Sequence, residues 1–137
     1  MNKKKFLITF IFTIFCFVSA FSKGDWIMVD ENELASVYIS TDITQSYGSY
    51  YVWEKWIYKK AQKTGNGKHA KYYKETVYLV EYTNDFSKNK LLSYTKYNSK
   101  GKVVDSASWE YGDWDYIVPG SVGEAIAEGI QYIINYY

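Results

Sequence analysis

The spacing of the apolar residues changes once along this chain, and that change sets the fold class. Up to Trp109 they alternate or come in short runs bounded by polar residues. Beyond Pro119-Gly120-Ser121 they recur at three and four, through Val122, Ala125, Ile126, Gly129, Ile130, Ile133, Ile134 and Tyr137. The first pattern is that of strands and the second that of one amphipathic helix. Strands followed by a single terminal helix predict an α+β fold: an antiparallel sheet of about six strands with one C-terminal helix packed on one face.

The six strands are expected over residues 26–29, 37–39, 50–58, 76–82, 90–97 and 102–109, joined locally as a meander with some rearrangement at the start. The third has apolar residues on both faces and should be central. Residues 44–49 have a loop-like composition. The polar stretch 63–74 around Gly65-Asn66-Gly67 reads as a loop or hairpin end, and Asn98-Ser99-Lys100-Gly101 as a tight turn. Ser121 and Glu124 have the spacing of a capping box, and Glu124, Glu128, Gln131 and Asn135 fall on the wet side of the helix. A glycine on the apolar stripe, Gly129, costs about 1 kcal/mol of helix propensity against alanine, so close approach to the sheet is the expected reason for it.

The N-terminus carries a different signal. Three lysines at 3–5 precede an uncharged run over residues 6–22 that ends in small residues at Ser19, Ala20 and Ser22. That order predicts a secretory signal peptide over residues 1–22, cut after Ala20 or Ser22, and a single exported domain over 23–137. The run is shorter than the about 20 apolar residues of a membrane span, so no membrane attachment is expected after cleavage. Lipidation at Cys16 would want a small residue before it and leucine three before it; Phe15 and Thr13 stand there. With Cys16 removed no cysteine remains, so packing alone must hold the domain. Without the three leading lysines the formal charge falls from +1 to −2, and the chain has no arginine. Electrostatic capture of nucleic acid and guanidinium clamps on phosphate are therefore not expected.

Catalytic signals are weak. His69 is the only histidine and stands in the lysine-rich stretch 68–74, without partners for a metal site or a nucleophilic triad. Neither a metal nor a cofactor is expected. Glu110, Asp113 and Asp115 interleave with Trp109, Tyr111, Trp114 and Tyr116. Paired acids beside aromatics can hydrolyse sugars or form a sugar-stacking platform, but a polar loop with aromatic anchors needs no chemistry. Gly65-Asn66-Gly67 lacks the helix and lysine spacing of a phosphate loop and reads as a turn.

What remains is the aromatic content, sixteen tyrosines and five tryptophans. Both alternation sets of the strands carry them, Trp53 against Trp56 and Tyr94 against Tyr97, with Trp109 and Trp114 beyond the last strand. One helix covers one face of a sheet, so one aromatic set should lie on the uncovered face. These six residues are the candidate binding residues, with a host protein, an envelope protein or a second copy of the chain as partner. The competing reading is that tyrosine serves strand propensity, with lysine stems lying over the rings.

Several short segments together resemble the surface-adhesin E family of small exported bacterial proteins. They are Trp26, Val37-Tyr38 followed by Asp42, and Val52-Trp53. Further on come Tyr97-Asn98-Ser99 with Gly101-Lys102-Val103-Val104, the tryptophans Trp109 and Trp114, and Pro119-Gly120-Ser121-Val122-Gly123-Glu124. The resemblance spans nearly the whole expected domain. It implies an antiparallel sheet with a C-terminal helix, a periplasmic, surface or secreted location, and a non-enzymatic, adhesin-like binding role toward extracellular or envelope proteins. An envelope structural or inhibitor domain is the alternative, and a carbohydrate-active hydrolase a third. The resemblance also implies cysteines near Tyr82-Thr83-Asn84 and Gly129-Ile130 that bridge helix to sheet; this chain has neither. Such a bridge would add about 4 kcal/mol in the chain-entropy model.

Overall fold

The computed structural model describes residues 24–137; the expected signal peptide, its cleavage site and Cys16 lie outside the described residues. Eight strands form one antiparallel sheet: β1 (Trp26–Glu31), β2 (Ala35–Ser40), β3 (Thr44–Ser46), β4 (Ser49–Thr64), β5 (Lys71–Thr83), β6 (Lys88–Tyr97), β7 (Val103–Ser108) and β8 (Asp115–Tyr116). One helix, α1 (Val122–Tyr136), follows. The main order is β1-β2-β4-β5-β6-β7, so the six expected strands form a meander. The two short additions each share an edge with a neighbour. β3 pairs with the start of β4 on the edge that β2 occupies further along, and β8 does the same for β6 beside β7.

Two local readings change. Residues 44–49 are not simply loop: Thr44 to Ser46 pair with Ser49 to Tyr51 around a two-residue turn at Tyr47-Gly48. Both turn residues have positive φ, 49° and 76°, the combination that matches the twist of a tight hairpin. Tyrosine rarely takes that conformation, which is why the composition did not announce the turn. The stretch 63–74 is a hairpin end only at its tip, a short 3₁₀ turn at Gly67–His69. β4 runs on to Thr64 and β5 begins at Lys71. Past an irregularity between Ile57 and Gln62 the two strands pair only with each other. This ribbon bends over the far end of the sheet, where Thr64 Oγ1 donates to Asp105 of β7 at 3.4 Å and Lys96 Nζ sits 4.7 Å from the Tyr73 ring.

The core lies between α1 and one face of the sheet. Val37, Ile39, Val52, Val80 and Tyr82 face Ile126, Ile130 and Ile133. Cross-strand pairs keep these residues on one side: Ile39 stands opposite Glu54, Val52 opposite Val80 and Tyr50 opposite Tyr82. Phe86, in a turn with φ 57°, stacks on Tyr50 at 5.3 Å and closes the edge of the core.

The helix follows its sequence signals closely at its start. Ser121 Oγ accepts from the Glu124 N–H at 3.3 Å, and the Glu124 carboxylate reaches back to Gly120 N at 3.3 Å, one residue beyond the usual partner. The Ser121 N–H is already donated to Val118 O. Gly129 makes the expected close approach: a Cβ there would lie 2.4 Å from Val29 Cγ1 and 3.2 Å from Ile39 Cδ1. At its end the stripe departs from expectation. Ile134 and Tyr137 are 42% and 74% exposed, while Ala127 is buried. The helix lies against β1 and β2; Ile133 still reaches the core, but Ile134 and Tyr137 border an open groove with Thr41, Ile43 and Tyr50 instead.

Candidate functional site

The cross-strand register divides the aromatic residues between two faces. Opposite the helix, Trp26 and Tyr38 lie beside Tyr51 and Trp53 of β4, followed by Leu79 and Val77 of β5 and Tyr97 of β6. None of these seven is fully buried. Along β4 the contrast is sharp: Val52, Glu54 and Tyr58 are buried, whereas Tyr51, Trp53 and Lys55 are half-buried and Ile57 is exposed. Lysines lie over part of this open face. Lys55 Nζ is 4.2 Å from the Trp26 ring and 5.8 Å from the Tyr38 ring. Lys90 Nζ is 4.5 Å from the Trp114 ring and 3.5 Å from the Glu81 carboxylate. These are cation–π contacts in which the long stems also cover apolar surface.

The six residues singled out from sequence divide three and three. Trp53, Tyr97 and Trp114 belong to the open face. Trp56, Tyr94 and Trp109 belong to the helix side. Trp56 packs against the core with its ring 6.2 Å from Tyr78 and 6.4 Å from Tyr58. The Tyr94 hydroxyl donates to Asp105 at 3.0 Å, and its ring lies 5.7 Å from Trp109. Both alternation sets thus contain aromatics, and the two sets do not form one surface. The acids Glu110, Asp113 and Asp115 are exposed on the segment that crosses from β7 to β8, and His69 is exposed at the ribbon tip.

The residue that sequence reading passed over is Glu54. It is only 5% exposed and sits at the inner end of a cleft of about 260 Å³ between the sheet and the start of α1. Trp56, Tyr78, Tyr82, Asn89, Asp115, Val122 and Ile126 also line that cleft. The Tyr82 hydroxyl donates to Glu54 Oε1. Burial pushes the Glu54 carboxyl up to about 7; the bond from Tyr82, and secondarily the indole of Trp56, limit the rise. The indole N–H nevertheless has no partner within normal hydrogen-bond geometry. Burial also pushes the Tyr82 hydroxyl well up, with the Glu54 charge adding to it. The sequence did hold a sign of this site: a glutamate in the same alternation set as Val52, Trp56 and Tyr58, where an apolar residue is the rule.

No helix among the described residues is long and apolar enough to cross a membrane. No curated protein and no solved structure gives a significant match to this chain. The family profile described as surface-adhesin protein E does match, over residues 26–130, from the first strand to the middle of the helix. That span takes in the whole sheet and the glycine on which the helix meets it, so the chain belongs to the surface-adhesin protein E family.

Proposed function

We propose that this chain is an exported, non-enzymatic binding protein that engages extracellular or envelope proteins through the open face of its sheet. The observation that carries the reading is the uncovered face itself. A sheet face exposed to water ordinarily alternates in polar residues. Here it presents Trp26, Tyr38, Tyr51, Trp53 and Tyr97, none of them fully buried. Aromatic rings interleaved with lysines suit a protein partner, because tyrosine and tryptophan supply large rigid contact area and a polar handle at low entropic cost. Membership of an adhesin family supports the same reading. The lysines over Trp26 and Trp114 are part of it: they keep the free face soluble, and their ammonium groups become available to partner carboxylates when the rings are covered.

The test is a pull-down with the purified protein against extracellular-matrix proteins and envelope extracts, repeated with a Trp53→Ser, Tyr97→Ser double variant. The variant should keep its fold, since both residues lie outside the core, and should lose the captured partner. Sedimentation run alongside shows whether the partner is a second copy of the chain. A folded variant that retains every interaction would reduce the aromatic face to scaffold.

A further inference from the structure

The helix side of the sheet holds a second feature, independent of the open face. Acid-and-ring arrangements recur in this protein, and a lysine completes two of them. Lys90 Nζ lies 3.5 Å from Glu81 and 4.5 Å from the Trp114 ring. Lys96 Nζ lies 3.8 Å from Asp105, 4.8 Å from the Tyr94 ring and 4.7 Å from the Tyr73 ring. In each case an ammonium meets a carboxylate and the π-face of at least one aromatic ring, which attract it together. The cleft at the start of α1 contains the same parts: the Glu54 carboxyl at its inner end, Asp115 also in its lining, and Trp56, Tyr78 and Tyr82 in its walls. Among the described residues that line it there is no lysine.

We propose that this cleft is a binding site for a primary alkylammonium group, with Glu54 as its counter-ion. Trp56 and Tyr78 flank the stem, Val122 and Ile126 supply apolar contact, and Asp115 gives a second negative group. The volume of about 260 Å³ is below the range of drug-sized pockets and suits a single head group with a short alkyl stem. Chemistry at Glu54 favours a cation over an anion. A buried carboxylate without a positive partner is costly, and an ammonium group offsets that cost where a ligand anion would add to it.

Binding is coupled to one proton. Glu54 faces Tyr78 and Tyr82 on β5, Asn89 on β6, Asp115 on β8, Ile39 on β2, and Val122, Gly123 and Ile126 on α1. Burial shifts both tyrosines upward, away from neutrality, whereas the Glu54 carboxyl is pushed up to about 7. An ammonium that enters below that value displaces the carboxyl proton to solvent, so affinity rises with pH through the neutral range. The ammonium can come from a free amine or from a lysine side chain of a partner protein.

The experiment titrates n-butylammonium chloride into the purified protein and follows the Trp56 indole N–H resonance. Butanol and butyrate serve as neutral and anionic controls. A lysine-containing tripeptide with blocked ends, against its norleucine counterpart, forms the second arm. Butylammonium should shift the indole signal while butanol and butyrate do not, with affinity roughly tenfold weaker at about pH 6 than at about pH 8. Glu54→Gln should abolish both the binding and its pH dependence. If that variant does not fold, the pH dependence of the unaltered protein decides. Tripeptide binding as tight as butylammonium assigns the site to a partner lysine; butylammonium binding alone assigns it to free amines. Equal shifts with butanol, no shift with butylammonium, or unchanged binding in folded Glu54→Gln would overturn the proposal.

Discussion

Glu54 makes the stability of this protein depend on pH. Its carboxyl is raised from 4.5 in the unfolded chain to about 7 in the fold. Between those values the folded state binds the proton and the unfolded state does not. The contribution is therefore fully present below about pH 4.5 and is lost as pH rises through about 7. The loss is on the order of 3 kcal/mol. Glu54→Gln should remove it: thermal unfolding should show a variant more stable than the parent at about pH 8, with the difference shrinking toward about pH 5. A parallel displacement of both melting profiles with pH would mean that Glu54 does not titrate in this window. Gly129 is the opposite kind of residue, chosen for what it lacks. Alanine would gain about 1 kcal/mol of helix propensity, but its Cβ would meet Val29 Cγ1 at 2.4 Å. Overpacking of that kind costs about 1–3 kcal/mol, so Gly129→Ala should lower the denaturation midpoint instead of raising it. Gly129 was legible because a glycine on an apolar stripe breaks a local rule. Glu54 breaks a local rule as well, yet within the strand 50–58 apolar residues occupy both faces, and that masked which face the carboxyl joined.

At the scale of elements, the helix was the most legible part because its signals are local: a proline-glycine stop, a serine cap, a glutamate three residues on, and a regular stripe. The six strands were legible for the same reason. What the sequence did not reveal were features that depend on which segments meet. β3 is too short to show a period and exists because β4 leaves an edge beyond β2. The β4–β5 ribbon looked like loop because lysines and a Gly-Asn-Gly turn dominate its sequence, and it folds as strand because each strand supplies the other's backbone partners. The exposure of Ile134 and Tyr137 could not be read from periodicity, which counts faces and knows nothing of where β1 and β2 lie. The central part of the stripe is decisive for stability. Ile130 is fully buried and Gln131 is exposed on the next position. Ile130→Asp would bury an unpaired charge and cost several kcal/mol. Urea unfolding should find it unfolded or absent from the soluble fraction, while Gln131→Asp keeps a midpoint close to that of the parent. Equal midpoints would place the stripe away from the sheet.

The whole molecule is a sheet whose two faces are built differently. The helix side holds the core at one end, the bent ribbon at the other, and the Glu54 cleft between them. The opposite side carries aromatics under lysine stems and is covered by no element of the described chain. Among the described residues no cysteine ties α1 to the sheet, so the helix stays on its face through burial of Ile126, Ile130 and Ile133 and through the close contact at Gly129. Under the proposed function the open face engages extracellular or envelope proteins, while the packing on the helix side holds the fold. The most direct measurement compares two double variants for binding to matrix proteins, each first shown to be folded. Trp53→Ser with Tyr97→Ser alters the open face. Tyr132→Ser with Tyr136→Ser alters an equally aromatic pair whose ring centroids lie 4.9 Å apart on the exposed side of the helix. Loss of two interface aromatics should weaken binding by at least about 2 kcal/mol, more than tenfold, in the first variant and leave the second unchanged. Binding lost in the helix variant and kept in the sheet variant would contradict the account.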